Sequence, residues 1–253
     1  MQLSDKDIDR YSRNIILPEI GGEGQYKLLQ SKVLVIGMGG LGSPLLMYLA
    51  AAGVGNITII DNDNVELSNL QRQVIHSTNN IGKPKVDSAK SFIESINPEI
   101  KITKINSRVD VDNIYQLISK QDIIADGSDN FKTRFLVADT CFKLQKTLIS
   151  AAITKYEGQI STWKNQNNLP CYRCLFTDEP NNNINNCSSN GVLGSIGGVF
   201  GSLQATEVIK EILNIGNSLS GFLNIYDLLN NTFRKIKVNK DPNCKFCSSK
   251  QNE

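Results

Sequence analysis

The chain is short of histidine: among 253 residues there is one, His76. Any Ser–His–Asp or Cys–His relay would have to be built on that residue, and no G-x-S-x-G nucleophile elbow is present. His76 reads as a residue packed beside the polar loop that carries Arg72. Nor is there an excess of either charge. A net charge of +2 gives no footing for a nucleic-acid partner. No apolar run approaches the roughly 18 residues that span a bilayer. The polar segment from Met1 to Arg10 lacks the apolar stretch of a secretory signal. The expectation is a cytoplasmic protein with no membrane contact. In a reducing compartment, six cysteines read as metal or catalytic ligands before they read as disulfides. There is no internal repeat, and the length suits one large α/β domain.

What is present is a glycine-rich turn in a telling place. Val33-Leu34-Val35-Ile36 reads as an apolar strand, Gly37-Met38-Gly39-Gly40-Leu41-Gly42 as a tight turn opening a helix, and Ile57-Thr58-Ile59-Ile60-Asp61 as a second strand ending in an acid. This is a βαβ nucleotide cradle of the G-x-G-x-x-G type. Glycines let main-chain N–H groups approach phosphate, and the helix N-terminus favours negative charge. Asp61 is placed for ribose hydroxyls. Helices are predicted over 41–52, 84–96 and 131–143, and strands over 100–105, 121–126 and 147–153. A glycine break is predicted at Gly21-Gly22. Strands alternating with helices imply a doubly wound, Rossmann-like, mostly parallel sheet. Beyond residue 153 the texture changes to an antiparallel strand over 159–163, a knuckle at 171–174, a helix within 192–213 and a hairpin from 222–226 and 232–238. The chain therefore reads as a single unit, 1–253: an N-terminal helical segment (1–30), a nucleotide-binding core (31–153) and a C-terminal antiparallel, zinc-knuckle appendage (154–253).

Three constellations carry chemistry. Asn69, Arg72 and Lys85 follow the second strand, where open α/β sheets bind ligands, and can converge on phosphates. Asp126 and Asp129 follow a third strand at the same edge, where carboxylates beside phosphates suit Mg²⁺. Asp129 is the favoured ligand, although Ser128 or Asp129 could instead cap the next helix. Cys171-x-x-Cys174 and Cys244-x-x-Cys247 form a paired thiolate set of the structural zinc type, provided that the tail folds back onto Cys171. Of the other two cysteines, Cys141 fits as a small buried hydrophobe. Cys187, in an Asn-rich stretch, is either a nucleophile or a bystander.

In these residues the chain resembles the ThiF/MoeB/HesA family of ubiquitin-like sulfur-carrier adenylyltransferases, relatives of ubiquitin-activating enzymes. The resemblance runs through Arg10-Tyr11-Ser12-Arg13-Asn14-Ile15-Ile16-Leu17, Gly37 to Gly42, Leu67-Ser68-Asn69-Leu70-Gln71-Arg72-Gln73, Gly82-Lys83-Pro84-Lys85, Asp129-Asn130, Cys171-Tyr172-Arg173-Cys174 and Gly201-Ser202-Leu203-Gln204-Ala205. It implies that ATP is held by Gly37, Gly39, Gly40, Gly42, Asp61, Ser68 to Arg72, Lys85, Asp129 and Asn130. Asp129 would bind Mg²⁺, and the four paired cysteines structural Zn²⁺. Arg13 would reach into a partner subunit, so a homodimer is implied. Cys187 matches a loop cysteine that takes part in sulfur transfer in some members. The implied reaction is adenylation of the C-terminal Gly-Gly carboxylate of a small carrier bound by the 154–253 part, for molybdopterin synthesis in preference to thiamine synthesis. Sulfur is expected from a separate donor protein. Two other readings stay open at this point: a relative that adenylates and cyclises a tRNA-bound threonylcarbamoyl group, and an NAD-dependent oxidoreductase.

Overall fold

The computed structural model describes residues 3–166, 168–177 and 191–248. The Asn-rich stretch with Cys187 lies outside them. One eight-stranded sheet runs through the described residues in the order β3-β2-β1-β4-β5-β6-β7-β8. β1 (Lys32–Ile36), β2 (Asn56–Ile60), β3 (Lys101–Ile105), β4 (Ile123–Asp126) and β5 (Thr147–Thr154) are parallel. β6 (Glu157–Trp163), β7 (Phe222–Asp227) and β8 (Thr232–Lys237) add antiparallel pairs. The hairpin expected as an appendage is thus continuous with the main sheet. β3 and β8 are the two edges, and all six residues of β8 are exposed.

The apolar strands β1 and β4 lie at the centre because helices cover both of their faces, as parallel sheets require. One face packs against α3 (Gly42–Ala52), α4 (Lys85–Ile96) and α8 (Gly194–Leu213), with Val33, Val35, Leu45, Leu49, Ile93, Phe200 and Val208 in its core. The other packs against α5 (Ile114–Ser119) and α6 (Phe131–Lys143), around Leu34, Ile36, Ile118, Ile124 and Phe135. α5 is a short helix that the sequence pattern did not announce, and α7 (Tyr172–Leu175) is a single turn at the cysteine knuckle.

At the N-terminus, α1 (Asp5–Ile15) opens with a capping box between Ser4 and Asp7. Its Tyr11 is buried, and the hydroxyl accepts a hydrogen bond from Asn97 Nδ2 at 2.8 Å. This pins α1 to the end of α4. The glycine pair Gly21-Gly22 is not an interruption: it opens α2 (Gly21–Gln30), with Gly21 in the left-handed region at φ +57°.

The turn after β1 is closed at backbone level. Gly37 adopts φ +87°, and a Cβ at Gly42 would lie 1.8 Å from the Gly37 carbonyl oxygen. Only glycine fits there. Gly42→Ala must push α3 off β1, so a loss of about 3 kcal/mol or more is expected. Urea unfolding, read from the midpoint at unchanged slope, checks this.

Candidate functional site

A cavity of about 460 Å³ opens at the carboxyl ends of β1, β2 and β4. This is the topological switch point where doubly wound sheets bind ligands. Its floor is Gly37, Gly39 and Gly40. The turn is held at one residue, Met38, through both of its backbone groups. The Met38 N–H donates to Asp61 Oδ2 at 2.7 Å, and the Met38 carbonyl accepts from His76 Nε2 at 3.0 Å. His76 Nδ1 in turn shares a hydrogen bond with the Ser88 hydroxyl at 2.9 Å. Both ring nitrogens of the histidine are therefore committed. Burial first, then the nearby Lys85 charge, pushes its pKa below the usual imidazole range. It sits beneath the glycine turn, with no ring nitrogen left for a reactant.

Asp61 also accepts from the Asp63 N–H at 2.8 Å. Each carboxylate oxygen keeps a lone pair for a ligand hydroxyl. Lys85, the first residue of α4, is buried and pairs with Asp63 Oδ2 at 2.8 Å. Arg72 reaches the cavity wall, donating from Nη1 to the Ser68 carbonyl at 3.0 Å. No carboxylate pairs with it among the described residues. The structure thus brings Gly37, Gly39, Gly40, Asp61, Gln71, Arg72, Lys85, Asp129 and Asn130 together around one cavity. Gly42, Ser68, Asn69 and Leu70 do not line it. Asn69 is buried and accepts the Glu66 N–H at 3.2 Å, shaping the 3₁₀ turn that leads to Arg72.

The two carboxylates after β4 separate sharply. Asp126 is buried, accepts the Ser128 N–H at 2.9 Å and does not line the cavity. Burial raises its pKa, against the opposing pull of Arg134. It is not available to a metal in the cavity. Asp129 is exposed, lines the cavity and makes no hydrogen bond or ion pair among the described residues. Neither Ser128 nor Asp129 caps α6. Asn130 does, accepting the Thr133 N–H at 2.9 Å. The cavity wall also holds Asn62, Asp63, Ser107, Arg108 and Arg134, which motif spacing did not single out. Arg108 follows β3, a strand with no glycine or acid signal at its end.

Arg13 lies exposed on α1 and does not line this cavity. Cys187 lies outside the described residues. Cys141 is buried in α6, and burial pushes its thiol well above the ordinary range, so it is inert packing.

The tail does fold back onto the knuckle. The sulfur separations are 3.8 Å for Cys171–Cys174, 3.7 Å for Cys171–Cys244 and 3.5 Å for Cys174–Cys247. All four sulfurs lie within 4.8 Å of one another. A tetrahedron with metal–sulfur bonds of about 2.3 Å has edges of about 3.8 Å, so the cluster fits a tetrahedral ion such as zinc.

The sequence profile of the ThiF family matches residues 11–246. The SAMP-activating enzyme E1 of Haloferax volcanii is 43% identical over 98% of this chain and 91% of its own length. The sulfur carrier protein adenylyltransferase of Thermus thermophilus is 40% identical over 98% and 93%. The adenylyltransferase and sulfurtransferase MOCS3 of Aedes aegypti is 46% identical, and this chain spans 57% of its length. Among solved structures, E. coli MccB with ATP superposes with a TM-score of 0.81 at 25% identity, over 94% of this chain and 73% of that one. No helix among the described residues is long and apolar enough to cross a membrane.

The His76 geometry sets a pH dependence. Its folded pKa lies below the unfolded value near 6.5. Below about pH 6.5 the unfolded chain takes up a proton that the folded chain resists, so stability falls as pH falls, at up to about 1.4 kcal/mol per pH unit. Chemical denaturation between pH 8 and 5 should show this acid limb reduced in His76→Gln. An unchanged limb would remove His76 as its source.

Proposed function

The chain belongs to the ThiF family, and from that premise we propose that it is a sulfur-carrier adenylyltransferase. It uses ATP to activate the C-terminal Gly-Gly carboxylate of a small ubiquitin-like carrier in the cytoplasm. One observation carries this reading: a glycine-turn cavity into which Arg72, Lys85 and an uncommitted Asp129 all open. Kinship with proteins named as adenylyltransferases, and the MccB structure solved with ATP, support it. The MOCS3 relatives favour molybdopterin over thiamine synthesis.

The chemistry suits the residues. The carrier carboxylate attacks the α-phosphorus of ATP, the bond to the β-phosphate oxygen breaks, and pyrophosphate leaves with the electron pair. A carboxylate is already a nucleophile and needs no base, which agrees with the commitment of His76 beneath the turn. Main-chain N–H groups of the glycine turn bind phosphate oxygens, and Asp61 orients the ribose. Arg72 and Lys85 counter the charge that grows on the phosphates; Lys85 is held ready by Asp63. Asp129 would hold Mg²⁺, which supplies further charge neutralisation when bound. Positioning and electrostatics then account for the rate. Cys171, Cys174, Cys244 and Cys247 would hold a structural Zn²⁺ with no open coordination site, so that ion would brace the fold. Sulfur comes from a separate donor, and Cys187 is a candidate for that later exchange.

Arg13 belongs to a second copy's site in this reading. Tyr11 anchors α1 by its buried side, and Arg13, two residues on, faces outward. A homodimer is proposed on this ground.

Two outcomes are expected. Asp129→Ala should cut carrier-dependent ATP–pyrophosphate exchange by about 10²-fold or more, while leaving the fold intact; near-normal exchange would remove the magnesium assignment. Mixing Arg13→Ala with Asp129→Ala chains should restore one intact site per mixed dimer, up to about half the wild-type rate. No recovery despite demonstrated subunit exchange would place Arg13 outside the partner's site.

A further inference from the structure

Two charged residues on the cavity wall, Asp63 and Lys85, are paired with each other, and the pair is unequal. The Lys85 side chain is 7% exposed and the Asp63 side chain 59%. Backbone and side chains both set this contact. The Lys85 N–H donates to the Asp63 carbonyl at 2.9 Å, and the adjoining residues Asn64 and Pro84 form an antiparallel bridge. The ammonium then donates to Asp63 Oδ2 at 2.8 Å. On the other side, the Asp63 N–H is tied to Asp61 Oδ1 at 2.8 Å, so the backbone of Asp63 is held from two directions. Its second carboxylate oxygen, Oδ1, accepts from the exposed Asn62 amide at 3.2 Å.

A carboxylate is an odd neighbour for phosphates. Asp63 lines the same cavity as Gly39, Gly40 and Arg72, and a fixed anion there repels phosphate oxygens. The ammonium has the opposite problem, because a buried cation is unfavourable without a counter-ion. Exposure decides which partner gives way when another anion arrives. Lys85 is the first residue of α4 and is buried along its stem, so its charge stays at the cavity wall. The Asp63 carboxylate already faces water. It can turn out about its Cα–Cβ bond while both of its backbone hydrogen bonds stay in place.

We propose that Asp63 is a positioning residue that serves as a stand-in anion. It holds Lys85 in the empty cavity, yields it to an incoming phosphate, and takes it back as pyrophosphate leaves. This rests on the adenylation reading above. No covalent bond changes in the exchange; one ammonium passes from a carboxylate to a phosphate and returns. Asp63 therefore competes with phosphate for Lys85. It lowers the affinity for ATP and for pyrophosphate together, and its return to Lys85 favours the departure of pyrophosphate. A pair that merely kept Lys85 aimed while nucleotide was bound has the opposite sign, since its loss would weaken binding. A carboxylate that bound metal would act only when Mg²⁺ is present.

The test uses the full chain and calorimetry with two probes: pyrophosphate, and an ATP analogue that cannot be split between the α- and β-phosphates. Each is titrated with Mg²⁺ and with a chelator in its place. Asp63→Asn keeps the shape of the side chain and removes its charge. It should bind both probes about five-fold or more tightly than the wild type, with or without Mg²⁺. Without ligand it should melt below the wild type, because Lys85 has lost its counter-ion, and saturating pyrophosphate should close that gap. Asp63→Glu keeps the charge and should bind pyrophosphate within about two-fold of the wild type. In a Lys85→Gln background, Asp63→Asn should change pyrophosphate affinity by less than about two-fold, because the effect runs through Lys85. Unchanged or weaker binding by Asp63→Asn overturns the inference, and so does a change confined to Mg²⁺. A melting gap that survives saturating pyrophosphate, a five-fold gain in Asp63→Glu, or a gain that persists in the Lys85→Gln background also overturns it. A wild type that binds the pyrophosphate but not the ATP analogue overturns the adenylation reading and leaves the variant series to judge Asp63.

Discussion

Met38 is the fixed point of this molecule. Its N–H is held by Asp61 from β2's end and its carbonyl by His76 from beneath. With one polar group of each of its two flanking peptides tied in this way, the glycine turn is held against swinging its amides away from the cavity. Preorganised donors cost no rearrangement when charge arrives, and this is where electrostatic stabilisation gets its effect. The same residue explains why the one histidine is spent on structure. Its ring nitrogens are matched to a carbonyl and a hydroxyl in a buried place, where an unmatched polar group would cost about 1–3 kcal/mol.

The turn is also held from above, by α8. A Cβ at Gly197 would come within 2.6 Å of the Gly40 carbonyl oxygen, so that helix and turn meet backbone to backbone. Farther along α8, Gln204 donates to the carbonyls of Asp126, at the end of β4, and of Ile149, within β5, at 2.9 and 3.0 Å. One late helix therefore seats both the early glycine turn and the strand that leads to Asp129. The nucleotide-binding core and the C-terminal part are a single packing problem, and the fully buried Phe200 of α8 shares one core cluster with Val33, Val35, Ile57 and Ile59 of β1 and β2.

Much of this was legible in the residues. The glycine turn, the acid after the second strand and the paired cysteines have fixed spacing because backbone approach, sheet edge and metal geometry each impose one. The 131–143 helix was readable because its apolar period is clean. The readings that needed the structure share a different cause. Asp126 and Asp129 look alike in sequence, and only burial distinguishes the structural carboxylate from the open one. Asn130, a better cap by position than Ser128 or Asp129, settles which residue closes α6. Arg108 and Arg134 reach the cavity from segments with no local signature, since a side chain's long reach leaves no period or motif. Gly21-Gly22 reads as an interruption by propensity, yet it opens α2, with Gly21 in the left-handed region and Leu28 buried on the same helix.

The return of the tail to Cys171 has a bearing on how the chain folds. Cys171 and Cys244 are 73 positions apart, and α8, β7 and β8 all lie between them. Closing so long a loop in a disordered chain is entropically unfavourable, and contacts of such wide sequence separation form slowly. The four sulfurs can therefore assemble only after β7 has found β6 and carried the tail across the sheet. A metal ion captured there would lock an arrangement already made by strand pairing, and a nascent chain stopped before residue 244 would expose only the Cys171 and Cys174 half of the thiolate set.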